Sequence, residues 1–450
     1  MNLLEEVLIL IQKGNLVEAK KICEFIINKE PSNSQALHLL GIIKYKECDY
    51  KVAKLLISKA ILISPNNSSF YSNLGHVLRK LKKKQDALFY YDKAISLKPD
   101  YAEAYHNRGI IFKELNRIED ALSDYDKAIS LKPDYVEFYW NKSLILLLKG
   151  DYINGFKLYE KRWNTPSAGF FNFKNNFSKP FWDGKQSLKN KNILLLSEQG
   201  LGDTIQFCRY IELVKSLGAI VLFQVPKKLL GLLKSLKCVD HFLIEGDVPP
   251  KYDYYCTLLS LPFAFKTEIK TIPCNIPYLT VSEDKINSWK NYLGSEHFKI
   301  AISWQGGKSS VDNGRSFPLK LFRNISNISG VRLISLQKNE GIDQLIDANL
   351  KIQVLPNNFD DKGEEFLDSA AVMKSVDLVI TSDTSLTHLA GALGINTWLA
   401  LKYVPDWRWL MDRIDSPWYT YHRLFRQKKI NDWEQVFLNM EKEIRFLLEQ

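Results

Sequence analysis

A 34-residue spacing runs through the first third of this chain and limits what it can fold into more than any other feature. Ser-Asn-Leu-Gly at 72–75 aligns with His-Asn-Arg-Gly at 106–109, and Tyr-Asp-Lys-Ala-Ile-Ser-Leu-Lys-Pro-Asp at 91–100 recurs at 125–134. The same offset carries Gly41, Gly75 and Gly109. It also carries Ala19, Ala53, Ala87 and Ala121; Ala60, Ala94 and Ala128; and Pro31, Pro65, Pro99 and Pro133. Small residues in fixed columns let two helices of one unit cross closely. A proline ends the second helix because it lacks an N–H and clashes with the preceding turn.

This is the tetratricopeptide pattern, with three clear repeats over 34–135, a weaker one before them and a degenerate one at 136–169. The last keeps Tyr139 and Gly155 but has Ser143 in the glycine column and Arg162 in the second alanine column. Such an array does no chemistry; its concave face binds peptides or partner domains. Asn73 and Asn107, on the first helices of their repeats, either bond an extended acceptor backbone or are solvated. Tyr90, Tyr91 and Tyr125 are expected to pack.

At 450 residues the chain exceeds one ordinary core, and two or three domains are expected. No run approaches the roughly 18 apolar residues of a membrane span, and the start lacks a basic n-region, so a cytoplasmic location is expected. The six cysteines are scattered without a C-x-x-C pair, which argues for reduced thiols and no metal. The net charge of +10 suits nucleotides, phosphates or lipid headgroups; with no accompanying motif, nucleic acid is not expected as a partner.

Residues 164–190 lose the repeat period and gather Phe170, Phe171, Phe173, Phe177, Phe181 and Trp182, which reads as an ordered connector packed on its neighbours. From 191 the rhythm becomes strand, turn, helix. Strands are expected at 192–197, 219–225, 299–304, 331–336 and 377–381, and helices at 204–217, 317–328, up to 375, and 384–393. The domain reading is a repeat array at 1–169, a connector at 170–190, and two α/β lobes at 191–295 and 296–450, an α-solenoid followed by a double Rossmann-like unit.

Four loops carry the candidate chemistry. Gly200-Leu201-Gly202-Asp203-Thr204 fails the dinucleotide glycine pattern at Ile205, and Asp203 stands at a helix start as either a cap or a general base. Trp304-Gln305-Gly306-Gly307-Lys308-Ser309, followed by Asp312 and Arg315, is not a P-loop because Ile302 holds the place of its first glycine. It reads as a basic loop suited to a diphosphate or as an ordinary one. Ser382, Asp383, Thr384 and Ser385 gather hydroxyls and N–H groups at a helix start, an anion site, with His388 one turn behind. Asp406-Trp407-Arg408-Trp409, with Arg413 and Trp418, either stacks on a base or sugar or packs between lobes.

Together these residues resemble a known family. Residues 191–445 are similar to the glycosyltransferases that include the bacterial lipopolysaccharide heptosyltransferases. The whole layout resembles the bacterial tetratricopeptide-repeat glycosyltransferases, a group that includes flagellin-modifying enzymes. It also shares the repeat-plus-two-lobe plan of the peptide O-GlcNAc transferases, without a close motif match. The matching motifs are Gly202-Asp203, Arg315-Ser-Phe-Pro318, Leu336-Gln337-Lys338 and Asp383-Thr384-x-Leu-Thr-His388; Ser385 replaces a glycine usual in heptosyltransferases.

The resemblance implies a two-lobed GT-B fold and an inverting, metal-independent transfer from a nucleotide-sugar. It implies Asp203 as base, Arg315 at the donor phosphates, and the 383–388 segment at the diphosphate and sugar, with Gly202, Gln337 and Lys338 among the donor-side residues. Glu198 is the reserve base. The acceptor is expected to be a protein or peptide held by the repeats. A lipid-directed transferase and an inactive adaptor are the competing readings.

Overall fold

The computed structural model describes residues 2–166, 177–307, 314–347, 349–361, 363 and 365–449. The chain divides into two compact units. One runs to Ile145 and takes in Asn164; the second holds Leu146–Trp163 and both sheets.

The first unit is built of antiparallel helix pairs: α1 (Leu3–Gln12) with α2 (Leu16–Lys29), α3 (Ser34–Lys46) with α4 (Tyr50–Ile63), α5 (Ser68–Lys80) with α6 (Lys84–Leu97), and α7 (Ala102–Glu114) with α8 (Ile118–Leu131). Asn2, Asn15, Asn33, Asp49 and Asn67 cap their helices through side-chain oxygens. The glycine column is where the helices of a pair touch. A Cβ on Gly41 would fall 2.5 Å from Ile57 Cγ1, on Gly75 2.8 Å from the Tyr91 ring, and on Gly109 2.8 Å from the Tyr125 ring. Tyr91 and Tyr125 are fully buried, as packing residues should be. The next pair joins α9 (Val136–Leu148) to α10 (Tyr152–Tyr159), and the division between the units falls inside α9. Here the close approach moves to the second helix: a Cβ on Gly155 would lie 2.7 Å from Leu147 Cδ2.

Histidine–asparagine bonds join successive repeats. Asn73 Nδ2 lies 2.8 Å from His38 Nε2, and Asn141 Nδ2 3.0 Å from His106 Nε2. Burial pushes both histidines down to about 4, so at neutral pH their rings are uncharged and accept the amide N–H. The amide nitrogen of Asn73 is therefore used inside the array.

The second unit carries two parallel sheets. The first holds β1 (Asn192–Leu196), β2 (Ile220–Val225), β3 (His241–Ile244) and β4 (Tyr254–Thr257) in the order β3-β2-β1-β4. Its helices are α11 (Leu201–Phe207), α12 (Ile211–Ser216), α13 (Leu230–Leu233) and α14 (Leu261–Ala264). The single helix expected at 204–217 starts three residues earlier and is interrupted by a 3-10 turn at Cys208–Tyr210. Of the connector, Phe177 and Phe181 pack on Tyr255 of β4 and Trp182 is buried; Phe170, Phe171 and Phe173 lie outside the described residues.

After α15 (Glu283–Leu293) comes the second sheet: β5 (Phe298–Ser303), α16 (Arg323–Ser326), β6 (Val331–Ser335), α17 (Gln344–Asp347), β7 (Ile352–Val354), α18 (Leu367–Met373), β8 (Leu378–Thr381), α19 (Ser385–Leu393), β9 (Thr397–Leu401), β10 (His422–Arg426) and α20 (Trp433–Leu448). Its order, β10-β9-β8-β5-β6-β7, reverses direction between β5 and β8. The helix expected at 317–328 is only a 3-10 turn at Leu319–Phe322 followed by the short α16. Near-continuous burial along β5, β8 and β9 accounts for their mainly apolar sequences. Among the described residues no helix is long and apolar enough to cross a membrane.

Candidate functional site

In an open parallel sheet, the strands leave a crevice at their carboxyl ends where the order reverses. The second sheet reverses between β5 and β8, so the loops after those strands, carrying Gly306 and Ser382–Thr384, open at that crevice. The first sheet reverses between β1 and β4, and Asp203 follows β1. Helices α11 and α19 then bring the two sets of loops together. A Cβ on Gly202 would sit 2.8 Å from His388 Cδ2 and 3.2 Å from Ser385 Cα, so only glycine allows this approach. Gly202→Ala is expected to force the helix starts apart at a cost of about 1–3 kcal/mol. Equilibrium denaturation of the variant measures that cost.

Thr384 is the N-cap of α19, without a side-chain capping bond. Its hydroxyl and that of the fully buried Ser382 have no hydrogen-bond partner among the described residues. A helix start leaves backbone N–H groups unpaired and carries partial positive charge, so hydroxyls and dipole together favour an anion. Arg315 borders the same place. A Cβ on Gly306 would fall 2.9 Å from Arg315 Nη2 and 3.3 Å from Thr384 Cγ2. Lys308, Ser309 and Asp312 lie outside the described residues.

Asp203 follows Gly202 directly and has both oxygens engaged. Oδ2 accepts the Gly200 N–H at 2.8 Å, the capping role, while Oδ1 is ion-paired to Arg408. Its side chain remains 18% exposed. Burial raises its pKa above the ordinary carboxylate range, opposed by Arg408 and the Gly200 N–H, with Asp406 and Glu198 adding to the rise. Asp383 is pushed up to about 6 by burial and then by Asp406, against the pull of Trp409, Arg408 and Arg315. His388 is held well below its usual value, chiefly by burial and then by Arg408, so its ring is neutral; Nδ1 lies 2.9 Å from the Tyr419 hydroxyl.

Three residues expected at the site from sequence have other duties. Glu198, the reserve base, is 6% exposed; its carboxylate takes two bonds from Arg162, at 3.0 and 2.8 Å, and one from the Leu259 N–H at 3.1 Å. Each of its oxygens accepts a bond from the buried Arg162, which makes it that cation's counter-ion inside the protein. Gln337 Oε1 accepts from Ser303 Oγ, Trp304 N and Gln305 N, while its Nε2 donates to the Gln305 and Glu340 carbonyls. It shapes the loop after β5 from behind. Lys338 Nζ donates to the carbonyls of Phe359 and Asp360 and to Asp361, which turns its charge towards that segment.

The tryptophan-rich loop packs. Trp407, Trp409 and Trp418 are at most 4% exposed. Trp409 is sandwiched between His388 (5.6 Å, 17°) and His422 (6.1 Å, 7°), and Trp418 Nε1 donates to the Tyr152 hydroxyl of α10 at 3.1 Å. Sequence reasoning named Arg408 only as part of the tryptophan loop, with no role of its own, and gave Arg162 none at the site, although the presence of Arg162 in an alanine column was a visible signal. Among the described residues, no group of three or more His, Cys, Asp or Glu is arranged to hold a metal ion.

Residues 68–101 and 102–135 match the tetratricopeptide repeat family model, and these stretches coincide with α5–α6 and α7–α8. The repeats indicate a protein-interaction role. Protein FlbA of Caulobacter vibrioides is 25% identical over 314 residues, covering 64% of this chain and 52% of its own length. The chain thus spans about half the length of that relative. Among solved structures, MamA is 22% identical over 39% of this chain and 99% of its own, with a TM-score of 0.32. Pseudomonas aeruginosa PilF is 20% identical over 35% and 72%, TM-score 0.34. YrrB, described as a tetratricopeptide protein with an unusual peptide-binding site, is 20% identical over 39% and 91%, TM-score 0.31.

Proposed function

We propose that this protein is an inverting glycosyltransferase with a GT-B-type catalytic unit, and that its repeats recruit a protein acceptor to a nucleotide-sugar-dependent active site. The observation that carries the reading is the close approach of Gly202, the residue just before Asp203, to Ser385 and His388 at the anion-favouring start of α19. A carboxylate beside a diphosphate seat is what a single displacement requires. The acceptor hydroxyl gives its proton to Asp203 as its oxygen bonds to the anomeric carbon. The bond from that carbon to the diphosphate breaks, and the nucleoside diphosphate leaves with the electron pair.

Arg315, the hydroxyls of Ser382 and Thr384 and the N–H groups opening α19 stabilise the charge that grows on the leaving group. Asp383, largely protonated below about pH 6, opposes that charge least in mild acid. The repeats, covalently joined to the catalytic unit, raise the acceptor's effective concentration.

A thermal-shift screen across nucleotide-sugars in the presence of EDTA tests the reading. One donor is expected to raise the melting temperature of the full chain, with release of its nucleoside diphosphate once cell-lysate protein is added as acceptor. Labelled sugar should then appear on protein. Failure of the whole donor panel to bind would reject the reading, and label recovered only in lipid would reject the protein acceptor.

A further inference from the structure

We propose that Arg408 is the positioning residue for Asp203, a guanidinium delivered across the boundary between the two sheets that fixes the carboxylate and keeps it anionic. This deepens the transferase reading and rests on Asp203 as base. The geometry is specific. Arg408 Nη2 is paired with Asp203 Oδ1, Nη1 donates to Asp406 Oδ1 at 2.8 Å, and Nε donates to Gln206 Oε1 at 2.7 Å. Asp203 and Gln206 are three apart on α11, so two contacts on one helix face set the guanidinium plane, while the third ties it to its own loop.

The loop is built to hold that arginine still. Leu410, two residues after it, has φ 51° and ψ −168°, a conformation unfavourable for a non-glycine residue that persists only where the surroundings impose it. The surroundings are visible. Arg426 donates to the carbonyls of Trp409, Leu410 and Arg413, and Trp409 is clamped between two histidine rings. Arg408 is 7% exposed, and its cation is enclosed by aromatic faces, with the Trp407 ring 4.4 Å and the Phe207 ring 5.6 Å away.

The charged and titratable groups around Asp203 are Arg408 and Asp406 from the loop, Glu198 before α11 (ion-paired to Arg162), Tyr159 from α10, and His388 of α19, against Gly202. His388 is neutral and Tyr159 protonated, so Arg408 is the charge that offsets the burial of Asp203.

Carbon-13 carboxyl NMR of the aspartate-labelled full chain tests this, with the Asp203 signal assigned by its loss in Asp203→Asn. Arg408→Gln is expected to raise the Asp203 titration midpoint by one unit or more, a tenfold or greater gain in proton affinity, and Arg408→Lys by less. Binding of inorganic pyrophosphate, followed by calorimetry, should stay within threefold of the natural chain. An unchanged midpoint in both variants overturns the proposal. So does a tenfold loss of pyrophosphate affinity, which would place Arg408 in the anion seat instead. Should Arg408→Gln fail to fold, the midpoint of Arg408→Lys decides alone. If the natural chain binds no pyrophosphate, the transferase reading loses its support, while the titration still decides the role of Arg408.

Discussion

Asp203→Asn is expected to lower sugar transfer by about 10²–10⁴-fold, the usual worth of a positioned general base, while nucleotide binding changes little. Asparagine is nearly the same size and keeps an oxygen for the Gly200 N–H, so α11 should retain its cap. What it cannot do is accept a proton. The pair with Arg408 would weaken to a neutral–cation bond. Initial rates with saturating donor, beside donor affinity measured by calorimetry, separate the two effects. Near-normal transfer by the variant would remove Asp203 from the chemistry.

The pH behaviour has two opposite signs. A carboxylate base works only when ionised, and burial raises the pKa of Asp203, so with Asp203 as the proposed base the rate should fall on the acid side earlier than an ordinary carboxylate would cause. Asp383, with its value near 6, becomes neutral below that pH and removes a negative charge beside the proposed diphosphate seat. Donor affinity should therefore improve below about pH 6 while the transfer step slows.

Arg162→Ala should give the largest loss of stability, about 3–5 kcal/mol, because it removes the buried cation paired with Glu198 and Glu160. Arg162 is fully buried. It is bonded to Glu198 at 3.0 and 2.8 Å, to Glu160 at 2.6 Å and to Ser260 Oγ at 2.7 Å. Burial alone would lower its pKa, but Glu160 and Glu198 outweigh that and raise it. Replacing the whole set by neutral groups of similar size, Arg162→Met with Glu198→Gln and Glu160→Gln, should recover much of the loss. Urea unfolding monitored by tryptophan fluorescence follows the α/β unit, where the buried Trp304, Trp407, Trp409 and Trp418 lie. A single-variant loss below about 1 kcal/mol would mean that water or a rearranged side chain compensates the exposed carboxylates.

Arg162 also shows why sequence reasoning stops where it does. The 34-residue register marks it as foreign to a column of alanines, since a guanidinium cannot fit where two helices cross. The register gives no direction for the side chain. Glu198 is 36 positions away in another element, and nothing local to Glu198 separates a buried counter-ion from a reserve base. The tryptophan loop poses the same problem: its composition suits a stacking platform and a packed seam equally, until Trp409 is seen between His388 and His422.

The sequence by itself determined what depends on neighbours along the chain. It determined the helix pairs with their glycine and alanine columns, the apolar parallel strands, and the start of α19 with its cluster of hydroxyls, because period, capping and strand burial are local physics. Only the tertiary structure decided which of those pieces share a site. Gly202 against Ser385, Arg408 on Asp203 and Arg162 on Glu198 join positions 183, 205 and 36 residues apart. Close approach and charge pairing follow the fold in space, and no periodicity records them.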